Sequence, residues 1–382
     1  MPSRLRIGVN ALYLIPGGVG GTEIYLRNLL AALAEIDTRN QYIVYVNRET
    51  GLDLCPPSPN FAPYETNVKA TFRPGRLLWE QTGLAREANA AKLDVLFNPG
   101  FTMPYFGSGA RVTVIHDLQH RRQPQNFGWL ELRAWELLVR MSIRSSRAII
   151  TVSESSRRDI VELYGRDESS ISVIGHGVEE SFFGLREDET FAPSIPSSAG
   201  LPDCRYLLAV STVHPHKNWK RLLQAFATLR KEGMEHHLAI CGLPGKSSGD
   251  LAAAIRELSL GDAVHILGWQ PRRTLIGLFK FAEALVFPST FEGFGMPVAE
   301  ALAGGLPVVC SDIPPLRGTA DGCAAFFDPE SDEALADALR STLADSEARA
   351  ERVEAGLERA KGFTWRRAAE RTLRVFLEAA RA

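Results

Sequence analysis

The sequence predicts an α/β protein with two doubly wound domains, each a parallel sheet covered by helices on both faces. Three observations support this prediction. The 382 residues are enough for two or three domains of ordinary size. Short β-branched apolar runs alternate with longer helical stretches almost throughout, which is typical of parallel strands joined by crossover helices. The Arg186–Asp203 stretch lacks periodicity, is rich in Pro, Ser and Gly, and divides this alternation into two similar halves.

The individual elements follow from these apolar runs. In the first half, strands are predicted over Arg6–Tyr13, Tyr42–Val46, Val95–Phe97, Arg111–Ile115, Ala148–Val152 and Ile171–Ile174. In the second half, they are predicted over Tyr206–Val210, Leu238–Cys241, Val264–Leu267, Ala284–Phe287, Pro307–Cys310 and Ala324–Phe327. Helices are predicted between them, among others over Glu23–Glu35, Arg221–Lys231, Ala252–Leu258 and Pro297–Ala303.

The domain boundaries follow from the same pattern. We predict an N-terminal domain over residues 1–190, a linker over 191–204 and a C-terminal domain over 205–363. A last helix is predicted over 364–382, with Thr364 as its N-cap, and is expected to pack back on the N-terminal domain. Two such domains would face each other across a cleft at the carboxyl ends of their strands, where ligands bind in sheets of this kind.

Composition excludes several classes of protein. The 43 basic and 45 acidic residues argue against a dedicated nucleic-acid binder, which usually carries a strong basic excess. The five cysteines form no CxxC pair and no Cys/His zinc spacing, which argues against a disulfide scaffold and a structural zinc site. The first residues lack the layout of a signal peptide, and no apolar run is long enough to span a membrane. We therefore expect a reduced cytoplasmic protein.

The most informative stretch is FPSTFEGFGMPVAEALAGGLP, residues Phe287–Pro307. A predicted strand is followed by a Gly-rich turn and by a helix with Pro297 near its first position, so amides at the helix start can bind an anion. These amides belong to Phe294, Gly295 and Met296. Glu292 and Glu300 can both face a ligand there, and a carboxylate accepts the paired hydroxyls of a sugar well. The alternative is a Gly-rich turn with a glutamate that stabilises the helix dipole.

Further segments extend the pattern along the chain. They are VTVIHDLQH (Val112–His120), TVSESSRRDI (Thr151–Ile160), VIGHGVEESFF (Val173–Phe183) and VSTVHPHKNWKRLLQAF (Val210–Phe226). Together with Phe287–Pro307 they resemble glycosyltransferase family 4, and within it the mannosyltransferase-like group. The resemblance implies the GT-B architecture, two Rossmann-like domains facing each other across a cleft. It also implies a retaining enzyme that uses a nucleotide-sugar donor.

The resemblance also implies roles for single residues. Glu300 would bind the ribose hydroxyls of the donor, and Glu292, with the amides of Phe294 and Gly295, would hold the transferred sugar; Met296 completes this donor-binding segment. Lys217 would neutralise the leaving diphosphate, since charge that develops there needs a fixed positive group. His116 would contact the donor sugar from the opposite domain.

His216 departs from the pattern, because many relatives carry arginine there. A histidine is only partly charged near neutral pH, whereas arginine is always charged. Either His216 therefore stabilises the donor phosphates less than an arginine would, or another cation such as Arg221 or Lys220 supplies the missing charge. The alternative is a histidine that faces solvent in a loop.

The Gly-rich loop Pro16–Gly21 follows the first strand. It is not a G-x-G-x-x-G motif, because Glu23 occupies the position of the third glycine, and NAD binding is therefore disfavoured. The resemblance places Gly18, Gly20 and Gly21 in the cleft, near the donor diphosphate and the acceptor. The alternative is a plain strand–helix turn.

No cofactor is predicted beyond the nucleoside-diphosphate sugar itself. The sequence contains no D-x-D triplet, the usual carboxylate pair for a metal bound to a diphosphate. We therefore predict no metal site, with Mg²⁺ binding by loop carboxylates left open.

The predicted helix Trp129–Arg147 has a stripe of arginines and a wide apolar arc. A basic amphipathic helix can lie on an anionic membrane, which would suit a lipid-linked acceptor at the inner face of the membrane. Because so wide an arc should pack inside the protein, the favoured interpretation is a solvated basic face on a core helix.

These observations predict a retaining glycosyltransferase that moves a hexose from a nucleoside-diphosphate sugar to a hydroxyl. The acceptor is a glycan, a lipid-linked molecule or a small molecule, and the HPHKN segment suggests mannose as the sugar. The same fold could instead carry a phosphorylase or a nucleotide-sugar epimerase. A catalytically silent sugar-nucleotide-binding protein is a further alternative.

Overall fold

The computed structural model describes residues 4–18 and 20–381 of the chain. The chain forms two compact units, one of residues 1–177 with 364–382 and the other of residues 178–363. Each unit contains one parallel sheet with helices, so the predicted class, α/β with two doubly wound sheets, is confirmed.

The sheet of the first unit has seven strands in the described residues, in the order β3-β2-β1-β4-β5-β6-β7, and every pairing is parallel. The strands are β1 (Arg6–Asn10), β2 (Gln41–Val46), β3 (Phe61–Glu65), β4 (Val95–Asn98), β5 (Ala110–Ile115), β6 (Ala148–Thr151) and β7 (Ile171–Val173). The chain moves outward from β1 to β3 and then returns to β4 on the other side of β1. A switch point therefore lies between β1 and β4.

Six helices of this unit connect its strands in the described residues. They are α1 (Gly21–Ile36), α2 (Arg73–Trp79), α3 (Ala85–Ala90), α4 (Gln119–Arg122), α5 (Trp129–Ser145) and α6 (Glu154–Tyr164). A π-helical turn over Glu80–Leu84 joins α2 to α3. The inner face of α1 is apolar and buries Leu26, Leu29, Leu30 and Leu33, as its helical spacing predicts.

The sheet of the second unit has six strands in the order β10-β9-β8-β11-β12-β13, again all parallel. The strands are β8 (Tyr206–Val210), β9 (His237–Cys241), β10 (Val264–Gly268), β11 (Ala284–Phe287), β12 (Val308–Ser311) and β13 (Ala325–Phe327). The helices are α7 (Ile195–Ser198), α8 (Trp219–Lys231), α9 (Ser248–Glu257), α10 (Arg272–Phe281), α11 (Met296–Ala303), α12 (Pro314–Ala320), α13 (Asp332–Ala344) and α14 (Ser346–Ala360). Its switch point lies between β8 and β11.

The last helix, α15 (Trp365–Arg381), lies with the first unit and packs against α1. Thr364 accepts a hydrogen bond from the amide of Arg367 at 3.2 Å, the capping bond that the sequence predicts for this residue. Phe376 lies edge-on to Phe97 of β4, with ring centroids 5.0 Å apart. The apolar face of this C-terminal helix therefore completes the core of a unit that begins at the other end of the chain.

Each strand that the sequence predicts is present, with ends that shift by up to three residues at β1. Strand β3 was missed, because Pro63 interrupts the apolar pattern and four of its five residues are exposed. Proline is tolerated there because β3 is an edge strand, where an amide need not pair.

The segment 191–204, predicted as a linker, is packed within the second unit. Phe191 is buried beneath the guanidinium of Arg273, which lies 4.8 Å from the ring centroid, and Leu201 is also buried. Helix α7 packs on α10, where Ile195 covers Gly277. The chain passes between the units instead at residues 177–178 and 363–364. The sparse apolar residues of the segment hold it in place, although its overall composition resembles that of a linker.

At Gly242, two backbones approach each other closely at the carboxyl edge of the second sheet. It follows β9 with a φ of +151°, and a Cβ there would lie 1.9 Å from the carbonyl oxygen of Ser211, which follows β8. Because both backbones continue paired strands, we expect Gly242→Ala to lower the free energy of unfolding by about 2–4 kcal/mol. Urea unfolding followed by circular dichroism measures this loss.

The matched control is Gly249→Ala. Gly249 lies in the first turn of α9, and an added Cβ would meet no atom within 4 Å. Its unfolding free energy should stay within about 0.5 kcal/mol of the wild type. Equal losses in the two variants would contradict the steric argument.

Candidate active site

The switch point of the second sheet brings two loops together. Lys217 lies in the loop after β8 and Glu292 in the loop after β11, and these strands are neighbours. Where strand order reverses, the loops on either side diverge and leave a crevice at the carboxyl edge of the sheet, the place where open α/β sheets bind ligands. Glu300 lies in α11, the helix that the second of these loops enters.

Lys217 and Glu292 form an ion pair in this crevice. The Lys217 Nζ atom lies 2.5 Å from Glu292 Oε1, and the two side chains are only 14% and 13% exposed. The same ammonium lies 5.4 Å from the ring centroid of Phe287, the last residue of β11. Two residues that the resemblance assigns to the donor thus lie in contact, although they are 75 positions apart.

A short turn holds Lys217 in position. Pro215 starts a single 3₁₀ turn that ends at Lys217, and Asn218 then adopts a left-handed conformation with φ of +57°. Asparagine tolerates this conformation better than most residues. The Asn218 side chain donates to the carbonyl of Pro329 at 2.9 Å, which ties the turn to the loop after β13. Helix α8 begins directly after it.

Glu300 is buried and paired with an arginine. It is 4% exposed, and the Arg272 Nη2 atom lies 2.5 Å from its Oε1. Arg272 also contacts Glu179 at 2.9 Å. Burial raises the pKa of Glu300 above its usual range, and the charge of Arg272 offsets part of that rise. Within the described part of the chain, no side chain or amide donates to Oε2, so this oxygen can accept hydroxyl groups from a ligand.

Arg272 and Glu179 were missed by sequence reasoning. Arg272 begins α10, 28 positions before its partner, and Glu179 lies 93 positions before Arg272. Neither distance forms a motif that a single sequence could show. The one available signal was Glu300 itself, because a carboxylate buried in a helix of the core requires a cationic partner.

The start of α11 has the geometry that the sequence predicts. Gly295 has a φ of +89°, and a Cβ there would lie 2.5 Å from Leu316 Cδ2, so glycine is needed on both counts. The first amides that bond back are those of Val298 and Ala299, which donate to the Gly295 carbonyl. Pro297 has no amide hydrogen, and the amides of Gly295 and Met296 lie at the helix start, where the helix dipole favours negative charge.

His216 lies beside this crevice without carrying charge. Burial and the neighbouring Lys217 lower the pKa of its imidazole to about 3, so the ring is neutral at pH 7. The expectation of a partly charged ring is therefore wrong. Its carbonyl accepts from the Thr290 amide at 2.8 Å, which joins the loop after β8 to the loop after β11. The donor-binding role of His216 stays a prediction.

His116 lies in the first unit, directly after β5. It is 6% exposed, and its Nε2 lies 3.0 Å from the carbonyl oxygen of Pro99, to which it donates. Aromatic rings of Tyr25, Phe101 and His176 surround it, with centroids between 5.0 and 5.7 Å away. Burial lowers the pKa of His116 to about 4. The ring is therefore neutral, with Nδ1 as its acceptor.

The Gly-rich loop lies at the same edge of the first sheet. Gly20 precedes α1 with a φ of +58°, and Gly21 begins that helix, whose Tyr25 touches His116. The Gly17 amide donates to Glu23 Oε2 at 2.7 Å, and Gly18 packs closely on Ile15. Val19 lies outside the described residues. The predicted site residues thus form two groups, one in each unit.

A metal site is not evident in the described residues. Over 4–18 and 20–381, no three His, Cys, Asp or Glu side chains are grouped so that they could hold a metal ion.

The buried histidines predict a loss of stability in acid. The pKa values of His116 and His120 are lowered to about 4 by burial, that of His216 to about 3, and that of His176 well below 6.5. Below about pH 6.5 the unfolded chain binds protons that the folded chain does not. Each ring should then cost about 1.4 kcal/mol of stability per pH unit as the pH falls.

Urea unfolding at pH 7, 6 and 5 measures this dependence. We expect the urea concentration at the unfolding midpoint to fall steadily as the pH falls. It should fall less steeply in His176→Asn, which removes one of these rings. Identical midpoints at pH 7 and 5 in the wild type would contradict the assignment.

Two family models match separate parts of the chain. A model described as Glycosyltransferase Family 4 matches residues 19–182, and one described as Glycosyl transferases group 1 matches residues 194–359. The chain is 27% identical over 283 residues to O-antigen chain mannosyltransferase B of Escherichia coli, an alignment that covers 74% of both proteins. Several other relatives are matched over only 57–59% of their own length.

Solved structures show the same two-unit fold. A sucrose-phosphate synthase from Thermosynechococcus elongatus superposes with a TM-score of 0.79 at 18% identity, over 98% of this chain and 99% of that one. HepE from Anabaena, in complex with UDP and glucose, superposes with a TM-score of 0.75 at 17% identity, over 97% and 99% of the two chains.

Proposed function

Since the chain is a glycosyltransferase of the family 4 type with the GT-B fold, we propose that it transfers a hexose from a nucleoside-diphosphate sugar to an acceptor hydroxyl with retention of configuration. The observation that supports this most strongly is the Lys217–Glu292 pair beside the start of α11. It combines a cation, a carboxylate and a helix start at one switch point. These are the groups that a departing diphosphate and a sugar need.

Lys217 acts on the leaving group. Departure of a nucleoside diphosphate places negative charge on its phosphate oxygens, and a fixed ammonium stabilises that charge as it develops. Lys217 is 14% exposed, so its charge is only weakly screened by water. In the free protein Glu292 holds the ammonium in place. The start of α11 adds its amides and the positive end of its dipole.

The two glutamates bind hydroxyl groups of the donor. Glu300 offers Oε2 to the ribose, while Arg272 holds its other oxygen. Glu292 accepts from the transferred sugar when the donor engages Lys217. His116 contributes a neutral, oriented ring from the first unit, and its Nδ1 is the acceptor for a sugar hydroxyl.

Retention follows from attack on the same face that the leaving group departs from. The acceptor oxygen bonds to the anomeric carbon as the bond from that carbon to the diphosphate oxygen breaks. The acceptor proton passes to the departing phosphate oxygen, which leaves the nucleoside diphosphate and the glycosylated acceptor as products. We assign no carboxylate as a nucleophile, and so no covalent glycosyl-enzyme is expected.

Mannose is the first candidate for the transferred sugar. The relative from Escherichia coli is named as a mannosyltransferase, and the HPHKN segment resembles the mannosyltransferase-like group. The acceptor is proposed to be a glycan, a lipid-linked molecule or a small molecule. HepE binds UDP and glucose, which supports a sugar nucleotide as the donor class.

A donor screen tests this function. Because a ligand that binds only the folded chain raises its apparent stability, one of the UDP-, GDP-, ADP- and dTDP-sugars should raise the melting temperature. The same sugar nucleotide should release its diphosphate when acceptor is present, and proton NMR of the product should show the donor's anomeric configuration. Binding without turnover across an acceptor panel would support a silent binding protein instead. Turnover that requires inorganic phosphate would indicate a phosphorylase.

A further inference from the structure

The outward face of α5 carries large apolar side chains. Trp129 is 73% exposed, Leu130 67% and Leu137 59%. In the helix as a whole only Val139, Ser142 and Ile143 are buried, so the wide apolar arc of its sequence is only partly packed in the core. The expectation of a solvated basic face on a core helix is therefore wrong for these three positions. An exposed group of large apolar side chains marks a site that binds a protein or a membrane.

Helix α2 adds two further apolar side chains beside α5. Phe72, at its start, is 62% exposed, and Leu78, near its end, is 67% exposed. The two helices are in contact, because Arg73 Nη1 lies 3.7 Å from Glu131 Oε1 in the first turn of α5.

A loop extends the same region. Gln81, just after α2, makes two hydrogen bonds to the loop that contains Met103 and Tyr105. Its side chain donates to the Met103 carbonyl at 2.8 Å and accepts from the Tyr105 amide at 2.9 Å. Tyr105 and Phe106 at its tip are 43% and 71% exposed and lie edge to face. Among the described residues, seven of the twelve exposed large apolar side chains thus fall on α2, this loop and α5, which we call the α2–α5 surface.

The charge around the α2–α5 surface is positive. Arg133 and Arg144 are exposed on the same helix as Trp129 and Leu137. The two acidic residues of α5 are already paired, Glu131 with Arg73 and Glu136 with Arg140 and Arg121. The apolar side chains are therefore bordered by arginines, and the nearby carboxylates are neutralised. A second copy of the chain would bring the same positive charge to the contact, which disfavours self-association.

We propose that the α2–α5 surface is a peripheral docking site for an anionic phospholipid bilayer. The apolar side chains enter the boundary between headgroups and acyl chains, while the arginines meet lipid phosphates. This arrangement lies on the membrane, and no helix in the described residues is long and apolar enough to cross one. The docking is independent of the transferase reaction, because it needs no donor.

Vesicle sedimentation with the full chain tests the proposal. The wild type should sediment with vesicles of phosphatidylcholine that contain about a third phosphatidylglycerol, and much less with phosphatidylcholine alone. Trp129→Ser/Leu130→Ser/Leu137→Ser should lower the bound fraction about tenfold, and so should Arg133→Glu/Arg144→Glu. Raising salt from about 0.1 M to about 0.5 M should weaken the binding as well.

The matched control is Leu52→Ser/Leu357→Ser, which removes exposed apolar side chains outside the α2–α5 surface. It should bind vesicles as the wild type does. Bromine-labelled acyl chains should quench the fluorescence of the wild type more than that of Trp129→Phe. Diphosphate release from the donor in solution should stay unchanged in every variant, which separates a failure of docking from a failure of the transferase.

Two results would overturn the proposal. One is the absence of binding to anionic vesicles by the wild type. The other is a triple variant that binds as the wild type does while circular dichroism shows both proteins folded. A dimer in light scattering that the triple variant abolishes, without vesicle binding by the wild type, would assign the surface to a second copy instead.

Discussion

Lys217→Ala should lower kcat by about 10²–10³-fold, because one preorganised group that stabilises developing charge contributes about that much. The loss should fall mainly on kcat, since the ammonium acts on charge that the leaving diphosphate acquires only as its bond breaks. Lys217→Arg should recover part of the rate, because it keeps the charge but changes its shape. Steady-state release of nucleoside diphosphate measures both variants.

Lys220→Ala is the matched control for this prediction. Lys220 lies three positions later, in the first turn of α8, and is exposed to solvent. Its removal should change kcat by less than about twofold, since an exposed charge is strongly screened. Circular dichroism should show that Lys217→Ala is folded, although its Glu292 loses a partner. If a folded Lys217→Ala variant turned over the donor at the wild-type rate, Lys217 would not be the group that stabilises the leaving diphosphate.

Glu300→Gln should raise the KM for the donor about 10- to 100-fold, with a smaller change in kcat. A buried site that binds hydroxyl groups loses much of its affinity when its charged acceptor is neutralised, and the ribose is remote from the bond that breaks. The substitution also leaves Arg272 with Glu179 alone, which should lower the free energy of unfolding by about 3 kcal/mol. Donor titrations and urea unfolding measure the two effects.

A double variant separates binding from stability. Glu300→Gln/Arg272→Met removes both charges of the buried pair, and such replacements often restore stability. The double variant should therefore unfold later than Glu300→Gln, while its donor KM stays high. Recovery of donor affinity together with stability would show that Glu300 acts only by holding the fold.

Much of the fold could be predicted because its signal is local. The strands and the main helices follow from apolar periodicity, which each segment carries by itself. Strand β3 is not predicted, because Pro63 breaks that pattern. The proline is tolerated there only because β3 lies at the edge of the sheet. The segment 191–204 has the composition of a linker, but Phe191 and Leu201 bury their side chains in the second unit.

The site could be predicted only where its residues lie in motifs. Glu292, Gly295 and Glu300 share one loop and one helix, and Lys217 lies in a segment that resembles the family. Arg272 could not be found in this way, since it reaches Glu300 from a different helix. The sequence also does not predict the neutral ring of His216, because a pKa depends on burial and on neighbours that a sequence does not show.

By itself, then, the sequence determined the two parallel sheets and the helix start at Gly295, since periodicity and turn chemistry are written along the chain, and it proposed the residues of a donor site from motif spacing. Only the tertiary structure decided which charges meet, which histidines stay neutral, where the chain passes between its units and which apolar side chains of α5 stay exposed. Those properties arise from contacts between residues distant in sequence, where burial and neighbouring charge set the free energy.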